Sequence, residues 1–120
     1  MPFMFEKLEV YQKAADLSDR VISINEGFGR GHYLLADRLN RASLSISTNI
    51  AEGNGPLTKS DRKHFFVIAR GSVQECVPLL EIARRRGLLD ADLHSAFKTD
   101  LDTISRMLSG LIKGIENSKL

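Results

Sequence analysis

Hydrophobic residues recur at three- and four-residue steps along most of the chain, which is the period of an α-helix with one buried face. The pattern breaks at residues 25–31, 53–56 and 87–90, each of which contains glycine. Residues 53–56 also combine a capping glycine with a proline that cannot continue a helix. The pattern therefore predicts four helices, at residues 6–25, 33–52, 58 or 59 to 86, and 91–116.

Local signals refine the ends of these helices. Gly27 is suited to a left-handed cap after the first helix. Thr58 and Asp61 have the spacing of a capping box, and Asp90 is a good N-cap for the last helix. Pro78 lies inside the apolar pattern of the third helix, which resumes beyond it. We therefore expect Pro78 to kink this helix and not to end it.

Four long helices with short connections and no strand signal predict an all-α, antiparallel up-down-up-down four-helix bundle. Residues 1–120 are predicted to form a single domain. The second helix is rich in small polar residues between positions 41 and 53, which allow another backbone to come close. On a second face of this helix, we predict contact with another subunit through Leu44, Ser47, Thr48 and Ala51.

Composition narrows the setting in which the protein works. Hydrophobic residues make up 42% of the chain and charged residues 27%, as is typical of a globular protein. Cys76 is the single cysteine, so an intramolecular disulfide and a cysteine-cluster metal site are excluded. The chain has no signal-peptide pattern at its start and no run of apolar residues long enough for a membrane span. We predict a cytoplasmic protein that does not contact membranes.

The histidine, cysteine and serine residues of the chain are not spaced as in any catalytic or metal-binding motif. His32, His64 and His94 lack the spacing of the helix-borne zinc and di-iron motifs, and we expect them on the surface or at caps. Cys76 falls on the central apolar stripe of the third helix, where a free cysteine behaves as a small hydrophobe. We therefore predict that the protein is not an enzyme and uses no cofactor or metal.

Four polar residues lie at the margins of apolar stripes, where a charge needs a partner. They are predicted to form a structural network that sets the register of the second and third helices: Asn49, Glu52, Arg70 and Glu75. Within this network, we expect Arg70 to pair with Glu52 or Glu75.

The net charge of +2 is unevenly distributed along the chain. Residues 30–86 contain ten Lys and Arg against five Asp and Glu, a balance of +5, whereas the remaining segments have a balance of −3. A basic segment suggests contact with phosphates, and nothing in it has the pattern of an element that reads base edges. The candidate nucleic-acid-binding residues are Arg38, Arg41, Arg62, Lys63, Arg84 and Arg85.

Residues 5–14, 39–46, 49–53 and 68–75 together resemble the four-helix-bundle family of the 23S rRNA intervening-sequence proteins. The resemblance covers nearly the whole chain. It implies an up-down bundle that assembles into a ring-shaped homopentamer. The accessory protein of diversity-generating retroelements is similar in fold and oligomer, and is associated with nucleic-acid and reverse-transcriptase binding through a basic surface.

Two functions are compatible with these observations. The first is a non-enzymatic oligomeric accessory protein that binds RNA or DNA through a basic surface, mostly by phosphate contacts. The second is a ring-shaped homo-oligomeric scaffold that contacts a protein partner and no nucleic acid. The residues alone leave both open.

Overall fold

A computed structural model describes residues 3–118 of the chain, in which a short 3-10 helix, Met4–Lys7, precedes four α-helices. The α-helices are α1 (Glu9–Asn25), α2 (Tyr33–Gly53), α3 (Lys59–Arg85) and α4 (Ala91–Asn117). A second 3-10 helix, Arg30–His32, leads into α2. Across residues 3–118 there is no strand. The four predicted helices are confirmed, and three of them begin and end within one residue of the predicted positions.

The first helix begins at Glu9, three residues later than predicted. Leu8 is extended, with φ −71° and ψ 123°, and this separates the 3-10 helix from α1. The ring of Phe5 meets that of Tyr11 edge-on, with their centroids 4.8 Å apart. The contact between Phe5 and Tyr11 holds the start of the chain against α1. A helix that continued through residues 6–8 would carry Phe5 away from Tyr11, so α1 begins later than predicted.

Each helix runs antiparallel to the next, as the up-down-up-down prediction requires. α2 packs most extensively against α3, and of the four adjacent helix pairs α1 and α4 pack least closely. The bundle measures 50 × 28 × 20 Å. Its core consists of the buried stripes of all four helices. The largest fully buried side chains include Leu17, Leu39, Ile46, Phe66, Phe97, Leu101, Ile104 and Leu108.

The predicted N-caps of α3 and α4 are confirmed, as is the prediction that α3 does not end at Pro78. The Thr58 side chain accepts a hydrogen bond from the Asp61 backbone N–H at 3.2 Å, and Asp90 Oδ1 accepts one from the Leu93 N–H at 2.8 Å. Each therefore satisfies one of the backbone donors that a helix start leaves without a partner. α3 continues through Pro78 to Arg85, because its apolar face still has a core to cover beyond the proline.

The prediction of a left-handed cap at Gly27 is wrong. Its N–H donates to the Ile24 carbonyl at 3.0 Å without a positive φ, and Phe28 then turns into the core. A positive φ occurs instead at Gly29, where the chain turns towards α2 with φ 82° and ψ 172°, values that favour glycine. The turn first places Phe28 in the core, with its N–H donating to the Asn25 carbonyl at 3.1 Å, and the positive φ comes after it.

Within residues 3–118, none of the helices combines the length and the apolar character that crossing a bilayer requires.

Candidate interaction surfaces

The two predicted basic residues of α2 are exposed, and each lies close to a carboxylate of the same chain. Arg38 Nη2 lies 3.4 Å from Glu75 Oε1 on α3. Arg41 Nε lies 3.2 Å from Asp37 Oδ2, one turn earlier on α2. Both arginines are solvent-exposed, so each pair contributes little to stability. They do, however, cancel much of the positive charge on this part of the surface.

At the start of α3, Arg62 and Lys63 also have partners within the chain. Arg62 Nε donates to the carbonyl oxygen of Gly53 at 3.2 Å, which places a cation at the negative end of the α2 dipole. Lys63 Nζ lies 3.4 Å from Glu116 Oε2, near the end of α4. One of these cations therefore caps a helix, and the other links α3 to α4.

At the end of α3, one carboxylate serves two cations. Glu81 Oε1 accepts a hydrogen bond from Arg84 Nε at 2.7 Å and lies 3.9 Å from Arg85 Nε. The hydrogen bond from Arg84 holds the pKa of the Glu81 carboxyl below its ordinary value. All six residues predicted to bind nucleic acid therefore have a partner within the chain. That they bind nucleic acid stays a prediction.

The cations that make no ion pair or side-chain hydrogen bond lie elsewhere. In the part of the chain that the structure describes, they are Lys7, Arg30, Arg86, Lys98 and Lys113. They are distributed over both ends of the bundle and α4, so they do not form a continuous band.

The four residues of the predicted polar network do not come together. Arg70 Nη1 donates to Ser109 Oγ on α4 at 3.2 Å, and across residues 3–118 no ion pair joins Arg70 to Glu52 or Glu75. The expected Arg70 pair is therefore wrong, because Arg70 lies on the side of α3 that faces α4. Glu52 is exposed, and Glu75 pairs with Arg38.

Serines add hydrogen bonds at the contacts of α2 with its neighbours. Ser72 Oγ donates to Ser45 Oγ at 2.8 Å across the two helices. Asn49 Nδ2 donates to the same Ser45 oxygen at 3.0 Å and to the Ser45 carbonyl at 2.8 Å. On the opposite side of α2, Ser18 Oγ donates to the Ser43 carbonyl at 2.8 Å. The small serines thus let neighbouring helices approach closely, as predicted from the small polar residues of the second helix.

The predicted subunit-contact residues are divided between surface and core. Leu44 is 43% exposed, Thr48 is exposed and Ala51 is half-buried. Ser47 is buried, and its hydroxyl donates to the Leu44 carbonyl at 3.2 Å. Ser47 therefore belongs to the packing of its own bundle, because its side of α2 faces α1.

The start of the chain adds an apolar surface that helical periodicity does not reveal. Phe3 is 69% exposed and Met4 is 80% exposed. They border a cavity of about 500 Å³ that is also lined by Ala51 and Pro56. The outer face of α2 and the surface of the 3-10 helix at the start of the chain therefore meet at Ala51.

Two residues that could carry chemistry lie in the protein interior. Cys76 is buried as predicted. Burial raises the pKa of its thiol to about 12, and the negative charge of Glu75 makes a smaller contribution in the same direction. The prediction that His94 lies on the surface or at a cap is wrong: it is buried three residues before Phe97 on the buried stripe of α4, and Asp90 is the cap of this helix. The His94 Nε2 atom has no hydrogen-bond partner among residues 3–118. Across residues 3–118, no three His, Cys, Asp or Glu side chains are grouped to hold a metal ion.

These features define an up-and-down four-helix-bundle protein whose surface combines internally paired charges with large exposed apolar side chains. Residues 6–110 match the family model of the 23S rRNA-intervening sequence protein, and the chain belongs to this family. The resemblance predicted from the sequence motifs is therefore confirmed.

A solved structure supports the same fold. The chain is similar to a protein of unknown function from the S23 ribosomal protein family of Bacteroides thetaiotaomicron VPI-5482, with 20% identity and a TM-score of 0.81. The match covers 87% of this chain and 98% of that protein. At this identity the likeness concerns the fold alone. A search of curated proteins finds no match.

Proposed function

We propose that the protein is a non-enzymatic, homo-oligomeric scaffold that contacts a protein partner. The observation that carries this proposal is the number of large apolar side chains that are exposed to solvent. The six cations predicted to bind nucleic acid, by contrast, all have partners within the chain. These apolar side chains are Phe3, Met4, Tyr33, Leu34, Leu44, Leu57, Val67, Ile68 and Ile82. Exposed apolar side chains that lie together, as Phe3 and Met4 do beside the cavity that Ala51 also lines, mark interaction surfaces.

The surface proposed for self-association extends from the outer face of α2 to the start of the chain. It consists of Leu44, Thr48 and Ala51, followed by Phe3 and Met4 beside the cavity that Ala51 also lines. A closed ring buries such a surface in every copy and leaves no copy with an unpaired face. The resemblance described above favours five copies.

Light scattering at micromolar concentration tests the proposal. We expect the wild-type mass to be several times the 13.4 kDa of one chain. Leu44→Glu should reduce the mass to that of one chain, because it places a charge in the contact. Ala96→Glu is the matched control, since Ala96 is exposed on α4, away from the proposed surface. A wild-type protein that stays monomeric contradicts the scaffold proposal.

Binding of RNA or DNA through phosphate contacts is a second candidate. It is favoured by the five cations that make neither an ion pair nor a side-chain hydrogen bond in the described part of the chain: Lys7, Arg30, Arg86, Lys98 and Lys113. The exposed ion pairs of the other cations are worth only about 0–1 kcal/mol each, so a phosphate can displace the carboxylate. Binding by this mechanism tolerates any base sequence, because phosphates carry no sequence information.

Filter binding with structured RNA and with duplex DNA, at about 50 and 200 mM salt, tests this second candidate. We expect binding at the lower salt and a steep loss at the higher salt, because counterions are released when phosphates are neutralised. Reversing Arg62 and Lys63 together, or Arg84 and Arg85 together, should weaken binding. If the wild type binds neither probe at the lower salt, nucleic-acid binding is excluded as its function.

A further inference from the structure

Three large apolar side chains are exposed at the end of the bundle where α2 begins and α3 ends. Tyr33 is 75% exposed, Leu34 is 72% exposed and Ile82 is 49% exposed. We call these three residues the end patch. The end patch lies at the opposite end of α2 from Ala51 and the 3-10 helix Met4–Lys7, and is thus separate from the surface proposed for self-association.

The register of α2 and α3 places Leu34 and Ile82 at the same height. The hydrogen bond between Ser45 and Ser72 marks one level of this antiparallel pair. Leu34 is eleven residues before Ser45, and Ile82 is ten residues after Ser72. At a rise of about 1.5 Å per residue, the two side chains are level to within a few ångströms on neighbouring helices.

Two arginines that have no carboxylate partner in the described part of the chain border the end patch. Arg86 follows Ile82 by one helical turn, and its N–H donates to the Ile82 carbonyl at 2.9 Å. Arg30 lies in the 3-10 helix that leads into Tyr33. Neither forms an ion pair within residues 3–118, and the first turn of α2 contains no acidic residue. The end patch therefore has an apolar centre beside uncompensated positive charge.

We propose that the end patch docks a segment of a partner protein that carries large apolar side chains together with Asp or Glu. This inference rests on the proposed scaffold function and identifies the kind of partner that the scaffold recruits. Tyr and Arg are enriched among the residues that contribute most of the binding energy in protein–protein interfaces. The apolar side chains of the segment cover Leu34, Ile82 and the Tyr33 ring, and its carboxylates pair with Arg30 and Arg86.

The composition of the end patch favours a protein segment over a nucleic acid. Two of its three side chains are aliphatic, whereas unpaired bases stack on aromatic rings. Carboxylates also lie nearby on both helices: Asp37 on α2, and Glu75 and Glu81 on α3. Each is already paired with an arginine, so a phosphate backbone that crosses this surface would have to displace all three carboxylates. A protein segment can place its few acidic residues beside Arg30 and Arg86 alone.

Selection from a displayed library of random peptides tests the proposal, with the wild-type full chain as the immobilised target. We expect the selected peptides to be acidic and to contain several large apolar residues. Their affinities, measured by fluorescence anisotropy, should fall about tenfold or more in Leu34→Ser and in Arg86→Glu, as for residues central to an interface. Leu57→Ser and Lys113→Glu are matched controls far from the end patch, and should bind as the wild type does.

Several outcomes overturn the proposal. One is a selection that enriches no peptides, or only basic or uncharged ones. Another is unchanged binding of the selected peptides by Leu34→Ser. A lower mass of Leu34→Ser in light scattering shows that the end patch is a contact between copies. Binding of single-stranded RNA that Tyr33→Ala abolishes assigns the end patch to nucleic acid. The wild-type mass reports separately on the scaffold function, so the two failures are distinguishable.

Discussion

The ring of Phe66 packs directly on the backbone of Gly53, so that a Cβ atom on Gly53 would lie only 2.8 Å from Phe66 Cε1. Phe66 is fully buried, and a ring that fills the core cannot move away without leaving a void. We expect Gly53→Ala to lower the free energy of unfolding by about 1–3 kcal/mol, the usual cost of overpacking. Urea denaturation measures this change.

Gly71→Ala is the matched control for that substitution. Gly71 is also helical, but a Cβ built on it meets no atom within 4 Å. Because alanine restricts the unfolded chain and favours the helix, we expect Gly71→Ala to raise the free energy of unfolding by about 0.5–1 kcal/mol. Equal changes in the two variants would show that contact with Phe66 is not what requires glycine at position 53.

The hydrogen bond between Ser72 and Ser45 is expected to stabilise the packing of α2 on α3. Ser45→Ala and Ser72→Ala should each lower the free energy of unfolding by about 1 kcal/mol, because each leaves the other hydroxyl without this partner. The double variant should lose less than the sum of the two, by about 0.5 kcal/mol or more. Thermal or urea unfolding of all four proteins measures the coupling, and strict additivity contradicts it.

Ser60→Ala is the control for the serine cycle. Ser60 is exposed in the first turn of α3. Its substitution should change the free energy of unfolding by no more than about 0.5 kcal/mol, as is usual for surface positions.

Arg70→Ala should destabilise the protein only modestly. The partner of Arg70 is the neutral hydroxyl of Ser109, and the contact is half-buried. We expect a loss of about 0.5–1.5 kcal/mol, which is typical of one hydrogen bond, and not the roughly 3–5 kcal/mol of a broken buried ion pair. Ser109→Ala should have a similar effect. A loss above that range in urea denaturation of Arg70→Ala would indicate a carboxylate partner.

The thiol of Cys76 should be unreactive in the folded protein. Burial raises its pKa to about 12, with a smaller contribution from the charge of Glu75, so the reactive thiolate is scarce near neutral pH. We expect no reaction with Ellman's reagent at neutral pH until urea unfolds the chain. Rapid reaction of the native protein would show that the third helix opens locally.

The same raised pKa predicts how stability depends on pH. Above the ordinary thiol pKa of 9.0 the unfolded chain loses the proton, while the folded chain keeps it up to about pH 12. The unfolded state then binds fewer protons, so the contribution of Cys76 to stability falls as pH rises through this range. Urea denaturation below and above pH 9.0 measures the slope, which should be shallower in Cys76→Ala. An unchanged slope rules out this contribution.

The helices and their order follow from the amino-acid sequence alone. Apolar residues at three- and four-residue steps require one buried face per helix, and short connections require neighbouring helices to run antiparallel. Capping is equally local, so Thr58 and Asp90 were recognisable from the residues that follow them. The burial of Cys76 also followed from its place on the apolar stripe of α3.

Which polar side chains meet depends instead on how the helices pack. Arg70 reaches Ser109, and Lys63 reaches Glu116, because packing brings α4 beside one flank of α3. The need for glycine at position 53 likewise comes from a ring on another helix. Periodicity identifies the face that a helix buries, but not the register at which a neighbour packs against it. A shift of one turn changes every partner of a long side chain without changing the apolar pattern.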